Sequence, residues 1–325
     1  MTITRRTFVA GSIAAGSILT TSAFAQTYPA QTIRLIVPYP PGGGTDFFAR
    51  LVATEMGSNL GQTVIVENRP GAGTLIGAEA VARATPDGYT FLLGDTSTYA
   101  SNRSLYAKLP YDADKDFAPV TLTGRFAIVL LVNTDKLKVN SVKELIETAK
   151  KAPGTIDYAS AGVGSPFHLA GELFAQASGI KITHVPYKGA GPAIQDLVSG
   201  QIGMMFVDFA TARGQLNQKQ IKAIAVASPG EFSGLPGVPP VAADVPGFEA
   251  WAWQGFAAPA TAPKDVIDKL NAAYVKAVNS AEIRQKLVGA GIDPLQSTPA
   301  EMGAYMKSEA AKWEKVIKTA GIKLD

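Results

Sequence analysis

Two α/β lobes joined by a double crossing are what this sequence predicts, and three observations predict them. From residue 32 onward, short apolar runs rich in β-branched residues alternate with amphipathic stretches, the pattern of a mainly parallel sheet covered by helices. Two β-prone segments, around residues 119–133 and 251–256, bracket a self-contained α/β series and read as the chain crossing to a second lobe and back. The chain has 325 residues, enough for two cores. The lobes are expected over residues 26–124 with 250–325, and over 125–249, with a hinge at the crossings.

Residues 1–25 read as an export signal. Arg5 and Arg6 precede an uncharged stretch over 8–19, and Ala23-Phe24-Ala25 forms a small-residue cleavage site before Gln26. Thr4-Arg5-Arg6-Thr7-Phe8 also fits the twin-arginine pattern. This apolar run, like the later one over 126–132, is shorter than the roughly 20 residues a spanning helix needs. The expected location is the periplasm.

The first strand is expected over 32–37. It leads into Pro38-Tyr39-Pro40-Pro41-Gly42-Gly43-Gly44 and a helix with Thr45 as N-cap and Asp46 in the first turn. Phe48, Leu51, Val52, Met56 and Leu60 make one apolar face of that helix, and Gly61 ends it. Strand, glycine loop and helix recur over 63–66, 69–73 and 74–84, with the next strand at 90–93. Segments 120–122 and 127–132 carry the chain into the second lobe. There Ser141-Val142-Lys143-Glu144 is a capping box for a helix to 152. A strand at 155–159, a helix at 166–177, a strand at 182–186, a helix at 192–199 and strands at 202–207 and 221–227 follow. A Pro/Gly-rich return over 229–246 leads to the second crossing. The remainder reads as helical, over 263–278, 281–287 and a last helix capped by Thr298, with Pro299 at its first position and Glu301 three residues on.

Composition narrows the chemistry. With 46% hydrophobic and 18% charged residues the chain is globular, and with no cysteine it has no thiolate nucleophile or thiolate metal site. Without residues 1–25 the chain keeps 28 basic residues against 27 acidic ones, and no Lys/Arg stripe offers a footprint for nucleic acid.

The most informative local feature is an echo. Val37-Pro38-Tyr39 leads to Gly42-Gly43-Gly44 and a helix, and Val185-Pro186-Tyr187 leads to Gly189-Ala190-Gly191 and a helix. Glycines let a backbone approach a ligand closely, and the unpaired first-turn amides of the following helix carry positive partial charge, which suits carboxylate or phosphate. A third loop, Ala161-Gly162-Val163-Gly164-Ser165-Pro166, has the same build; Ser165 is either a hydroxyl donor to an anion or the N-cap of the helix carrying His168. Asp208, ending an apolar strand, is either a ligand acceptor or a helix N-cap. Tyr39, Phe47, Tyr99, Phe126, Phe167, Tyr187 and Phe209 flank these loops and are candidates for cleft walls or for core.

Other chemistries find little. Gly71-Ala72-Gly73-Thr74-Leu75-Ile76-Gly77 has the spacing of a structural turn rather than of a dinucleotide fingerprint, and no phosphate-loop, G-x-S-x-G, H-E-x-x-H or EF-hand motif is present, so no cofactor is expected. A histidine metal site would need both His168 and His184, on a helix and a strand of one lobe; a polar core or loop-tethering role suits one of them better, and no metal is expected. Ser165 and His168 are close enough in sequence for a hydrolase or transferase pair, but no orienting acid is evident beside His168. Arg125, near the expected hinge, is either a ligand cation or part of a structural ion pair.

At these residues the sequence resembles the periplasmic solute-binding receptors of tripartite tricarboxylate transporters, the Bug receptors. The matching text is Pro38 to Asp46 with Ala49-Arg50, then Val66-Glu67-Asn68-Arg69-Pro70-Gly71-Ala72-Gly73, Pro86-Asp87-Gly88-Tyr89-Thr90, Gly162-Val163-Gly164-Ser165, His168-Leu169-Ala170-Gly171-Glu172-Leu173-Phe174 and His184-Val185-Pro186-Tyr187-Lys188-Gly189. The resemblance implies a two-lobed Venus-flytrap fold, with two crossover connections, that binds a small organic carboxylate and passes it to membrane permease subunits, the receptor itself being a monomer and not an enzyme. It implies ligand contacts at Tyr39, Pro41, Gly42, Gly43, Gly44, Thr45 and Asp46, at Gly162, Val163, Gly164 and Ser165, and at Ser97, Thr98, Tyr99 and Asp208; His168 and Tyr187, beside these loops, are further candidate contacts. Many relatives carry Thr-His where this chain has Thr98-Tyr99, and a smaller aliphatic residue at Phe47. An aromatic carboxylate is therefore a candidate beside aliphatic di- and tricarboxylates, and Asp208 keeps an amino acid among them. An exported hydrolase or transferase using Ser165, His168 and Asp208, and a sensor for a membrane signalling partner, are the alternative readings.

Overall fold

The computed structural model describes residues 28–324, so the expected signal segment lies outside the described residues. Strand β1 (Ile33–Val37) runs parallel to β2 (Val64–Asn68) and β3 (Thr90–Asp95). Helix α1 (Gly44–Leu60) joins β1 to β2, burying Phe48, Val52 and Met56 and ending at left-handed Gly61 (φ 70°), whose N–H returns to the Gly57 carbonyl. A short 3₁₀ turn and α2 (Leu75–Ala82) join β2 to β3, and a π-helical turn (Ser97–Ser101) with α3 (Asn102–Leu105) follows β3.

The two β-prone pieces expected near 119–133 fuse into one strand, β4 (Phe117–Asn133), that serves both lobes. From Phe117 to Ala127 it pairs with β9 (Trp251–Pro259); from Ile128 to Asn133 it pairs with β7 (Met204–Asp208) and β8 (Ile221–Val226), all antiparallel. Register shifts near Pro119 and Thr123 let so long a strand bend. The return crossing lies alongside, where the Ala250 N–H donates to the Ala227 carbonyl (3.0 Å) just before β9. In the second lobe α4 (Val142–Lys151) is capped by Ser141, which accepts from the Glu144 N–H, but the expected box is only half formed, since Glu144 Oε2 accepts from the Asn140 N–H rather than from that of Ser141. Strand β5 (Asp157–Ser160), helix α5 (Pro166–Ser178), strand β6 (Thr183–Pro186), helix α6 (Ala190–Val198) and, after β7, the single-turn helix α7 (Phe209–Ala212) complete it.

The strand order β2-β1-β3-β9-β4-β7-β5-β6 corrects the expectation of a mainly parallel sheet. Parallel trios flank a central antiparallel pair, because β4 and β9 carry the chain between the lobes in opposite directions. A second correction concerns the end of the chain. Helices α8 (Lys264–Val278), α9 (Ala281–Gly289) and α10 (Pro299–Ala320) are present, but the segment also contributes a three-residue strand, β10 (Ile292–Pro294), paired with β4. The Thr298 capping box on α10 is formed in both directions. Helix α10 is pinned to β9 by Glu309, whose Oε2 accepts from the indole N–H of both Trp253 and Trp313, each at 2.9 Å.

Candidate functional site

The loop after β1 is built by glycine and by its own carboxylate. Gly42 sits at φ 91°, in the left-handed region, and Gly43, not Thr45, is the residue before the helix, with no side chain capping it. The first-turn amides of α1 are therefore left without intrahelical acceptors. Thr45 falls inside the helix and its hydroxyl accepts from the Gln254 amide on β9. Asp46 is buried and turned inward: Oδ2 accepts from the Gly42 N–H (2.9 Å) and Arg50 Nε (3.0 Å), and Oδ1 from Asn68 Nδ2 (2.9 Å). Burial alone would raise its carboxyl pKa, but the bonds from Arg50, Gly42 and Asn68 hold it below the usual value. The Tyr39 hydroxyl donates to buried Asp95, and burial pushes both groups upward. Tyr39 and Asp46 fasten this loop, their side-chain oxygens bonded to Asp95, Gly42, Arg50 and Asn68. Exposed Pro41, Gly42 and Gly43 and half-buried Gly44 form its outer surface.

The loop between β5 and α5 is fastened differently. Gly162 (φ 127°) and Gly164 (φ 77°) are both left-handed, and both amides point inward: the Gly162 N–H donates to Ser160 Oγ (3.1 Å), the Gly164 N–H to His168 Nδ1 (3.0 Å). Ser165 is the N-cap of α5, accepting from the His168 N–H at 3.3 Å. The donors of this loop that bond to no described residue are the N–H groups of Ala161 and Val163 and the Ser165 O–H. The loop abuts the first lobe, since Ser101 Oγ donates to the Gly164 carbonyl (3.2 Å) and a Cβ on Gly164 would lie 2.2 Å from Leu105 Cδ1.

His168 and His184 stack face to face, ring centroids 3.7 Å apart at 16°. His184 Nε2 lies 2.7 Å from Ser160 Oγ. His168 Nε2 lies 3.7 Å from Glu172, one turn along α5, which corrects the expectation that no acid stands beside it. A hydrolase pair is nonetheless not assembled. His168 Nδ1 is occupied by the Gly164 amide, the Ser165 hydroxyl meets the backbone rather than the ring, and Glu172 also accepts from the Tyr158 hydroxyl at 2.6 Å.

The side chains of the other candidates are bonded within the fold, and Tyr187 lies against the second loop, its carbonyl oxygen 3.3 Å from where a Cβ on Gly162 would stand. Ser97, Thr98 and Tyr99 are buried: Thr98 is held by Asp95 and Thr74, and Tyr99, with no exposed surface, stacks on Trp253 (5.9 Å, 18°) and donates to the Gly255 carbonyl. Asp208 takes the capping alternative, its two oxygens accepting from the Thr211 N–H and hydroxyl, each at 2.8 Å. The Tyr187 hydroxyl donates to Asp196 at 2.7 Å, while the Gly189 position that starts α6 is uncapped. Arg125 takes the ion-pair alternative, with Asp293 at 2.8 Å and the Trp251 ring 4.1 Å below its guanidinium. A shallow cavity of 570 Å³ lies between Arg103 and Asp114, and none of the glycine loops lines it.

The sequence profile of the tripartite tricarboxylate transporter family receptor matches residues 48–322. The chain belongs to this family. Among solved structures the receptor is similar to an R. palustris protein with adipate, 35% identical with a TM-score of 0.85 over 91% of this chain and all of that one. It is also similar to the Rhodopseudomonas palustris protein MatC with bound malate, at 32% identity and a TM-score of 0.80 over 89% and 100%. A third is the periplasmic binding protein BugD, at 34% identity and a TM-score of 0.81 over 91% and 100%. The two-lobed α/β fold expected from the sequence is the fold of these periplasmic binding proteins.

What the receptor offers chemically is a set of neutral dipoles on two loops. Sequence reasoning missed residues that fasten those loops: Asp95, Gln254 and Ser160. Ser160 carried a signal, since it ends the strand before a glycine loop. The parallel register Tyr158↔His184 and Ser160↔Pro186 then brings His184 within reach of its hydroxyl.

Proposed function

We propose that this receptor captures a small organic carboxylate between its lobes, without turning it over, and delivers it to a tripartite tricarboxylate-type permease. The observation that carries the reading is the uncapped start of α1 behind the Gly42–Gly43 turn, a free set of first-turn amides on a glycine loop. The amides of Gly43, Gly44 and Thr45 hold the anion from one lobe, and the Val163 N–H and Ser165 O–H reach it from the other. Residues 26–124 with 250–325 make the first lobe and 125–249 the second, and they close about the β4–β9 pair. An anion held by amides and a hydroxyl, rather than by a buried arginine, is more easily rehydrated and released. The receptor acts in the periplasm after removal of residues 1–25, as a monomer and without metal or cofactor.

The relatives' adipate and malate make aliphatic dicarboxylates the first candidates. With Tyr99 in the core, the case for an aromatic ring rests on Phe47, 45% exposed in the first turn of α1. A thermal-shift screen of the mature protein against dicarboxylates, tricarboxylates, acidic amino acids and aromatic carboxylates tests the reading. Ligand at 100 times its Kd stabilises by about 2.7 kcal/mol. One responding class supports capture, no response in any class refutes it, and consumption of the responding compound refutes the non-enzymatic part.

A further inference from the structure

The stacked imidazoles of His168 and His184 lie beneath the 162–165 loop, and both inward-turned glycine amides of that loop end on them. Gly164 donates directly to His168 Nδ1 (3.0 Å); Gly162 donates to Ser160 Oγ (3.1 Å), which lies 2.7 Å from His184 Nε2. We propose that His168 and His184 are positioning residues for the carboxylate site, holding the 162–165 loop in its binding form only while His168 Nδ1 is unprotonated, so that acid releases the loop. The proposal rests on the reading of that loop as part of the site.

The chemistry is local. With the lone pair on Nδ1 spent on the Gly164 amide, the proton of the neutral ring sits on Nε2, facing Glu172 at 3.7 Å. A second proton on Nδ1 would set donor against donor and orphan a buried amide. The groups facing His168 are Glu172 on its own helix, Tyr158 on β5 at a ring distance of 6.3 Å, and His184 on β6. Glu172 favours a charged ring, while burial and the second imidazole 3.7 Å away oppose it; burial is the larger effect and holds His168 down to about 3 and His184 to about 4. The loop is therefore fastened at neutral pH. Turning the amides of 162 and 164 inward leaves the Val163 N–H and the Ser165 O–H among its donors to a ligand.

Two experiments on the mature protein test this. The first needs no ligand: a nitrogen–nitrogen scalar coupling across the Gly164 N–H···Nδ1 bond, read by NMR on isotope-labelled protein. It is expected at pH 7 and expected to vanish as His168 titrates; an Nδ1-protonated ring at pH 7, or a coupling that survives the titration, overturns the proposal. The second is calorimetric titration with adipate at pH 7. His168→Phe keeps a stacked ring without the acceptor and is expected to bind about tenfold more weakly at pH 7. His168→Asn supplies an amide oxygen as a replacement acceptor; it is expected to bind within about threefold of wild type. Equal affinities for all three proteins overturn the positioning role and leave the carboxylate reading standing. Wild type that binds no adipate at pH 7 counts against adipate as cargo, and the NMR result then decides the histidines alone.

Discussion

Replacing Glu309 by alanine is expected to destabilise the receptor by about 4 kcal/mol, and replacing it by glutamine by about 1 kcal/mol. Both indole N–H groups, from Trp253 on β9 and Trp313 on α10, converge on the same oxygen, Oε2, at 2.9 Å. Alanine orphans two buried donors, each worth about 1–3 kcal/mol, and opens a void between the helix and the crossing strand. Glutamine retains one carbonyl oxygen that serves both indoles, so only the charge assistance is lost. The Lys312 ammonium at 3.7 Å from Oε1 adds little at the surface. Urea unfolding followed by tryptophan fluorescence measures the difference, and two of the chain's three tryptophans report on the site directly. If glutamine costs as much as alanine, charge rather than the shared oxygen holds the helix. If neither exceeds about 0.5 kcal/mol, the reasoning is refuted.

Further outcomes follow from the same geometry. Because burial first, and His184 second, lower the His168 pKa from 6.5 to about 3, the folded state binds fewer protons than the unfolded state across that window. Stability is therefore expected to fall as pH drops below 6.5, by at most about 1.4 kcal/mol per pH unit from this group, and urea midpoints unchanged between pH 6.5 and 4 would contradict it. Gly164→Ala forces a Cβ against Leu105 at φ 77° and is expected to cost about 1–3 kcal/mol, checked by thermal unfolding. Ser165→Ala removes a helix cap worth about 1 kcal/mol of stability and weakens carboxylate binding by about 1–2 kcal/mol. Loss of stability alone, measured against calorimetric affinity, would take its hydroxyl out of the site.

Local patterns in the sequence carried the reading far where the physics is local. The Thr298 box, the Ser141 and Ser165 caps and the Gly61 stop all involve partners within about one helical turn, and each stands where the pattern predicts. The alternation of apolar runs and helices yielded the two-lobed fold, but not the antiparallel centre, because strand direction across a crossing is fixed by partners far away in the chain. The same distance hid the site's inner bonds. Tyr39 finds Asp95 56 residues on, Thr45 finds Gln254 209 residues on, and Tyr99 is drawn into the core by Trp253. Strand β10 escaped notice because three residues, one of them proline, offer no periodicity. A loop-tethering role for one of the two histidines was legible, and His168 fills it on Gly164, whereas its stack with His184 depends on the register of β5 against β6.

The place of β9 between β3 and β4 sets the order in which the molecule can be finished during synthesis. Residues 251–259 leave the ribosome after all of β5 to β8, so the lobe begun first is completed last. Until they arrive, β3 and the first half of β4 present bare edges of unpaired amides and carbonyls, the kind of surface that recruits other chains. A nascent chain ending near residue 249 can complete its second sheet while the first still has a strand missing from its middle. The receptor is thus most exposed to aggregation late in translation, when three-quarters of it already exists.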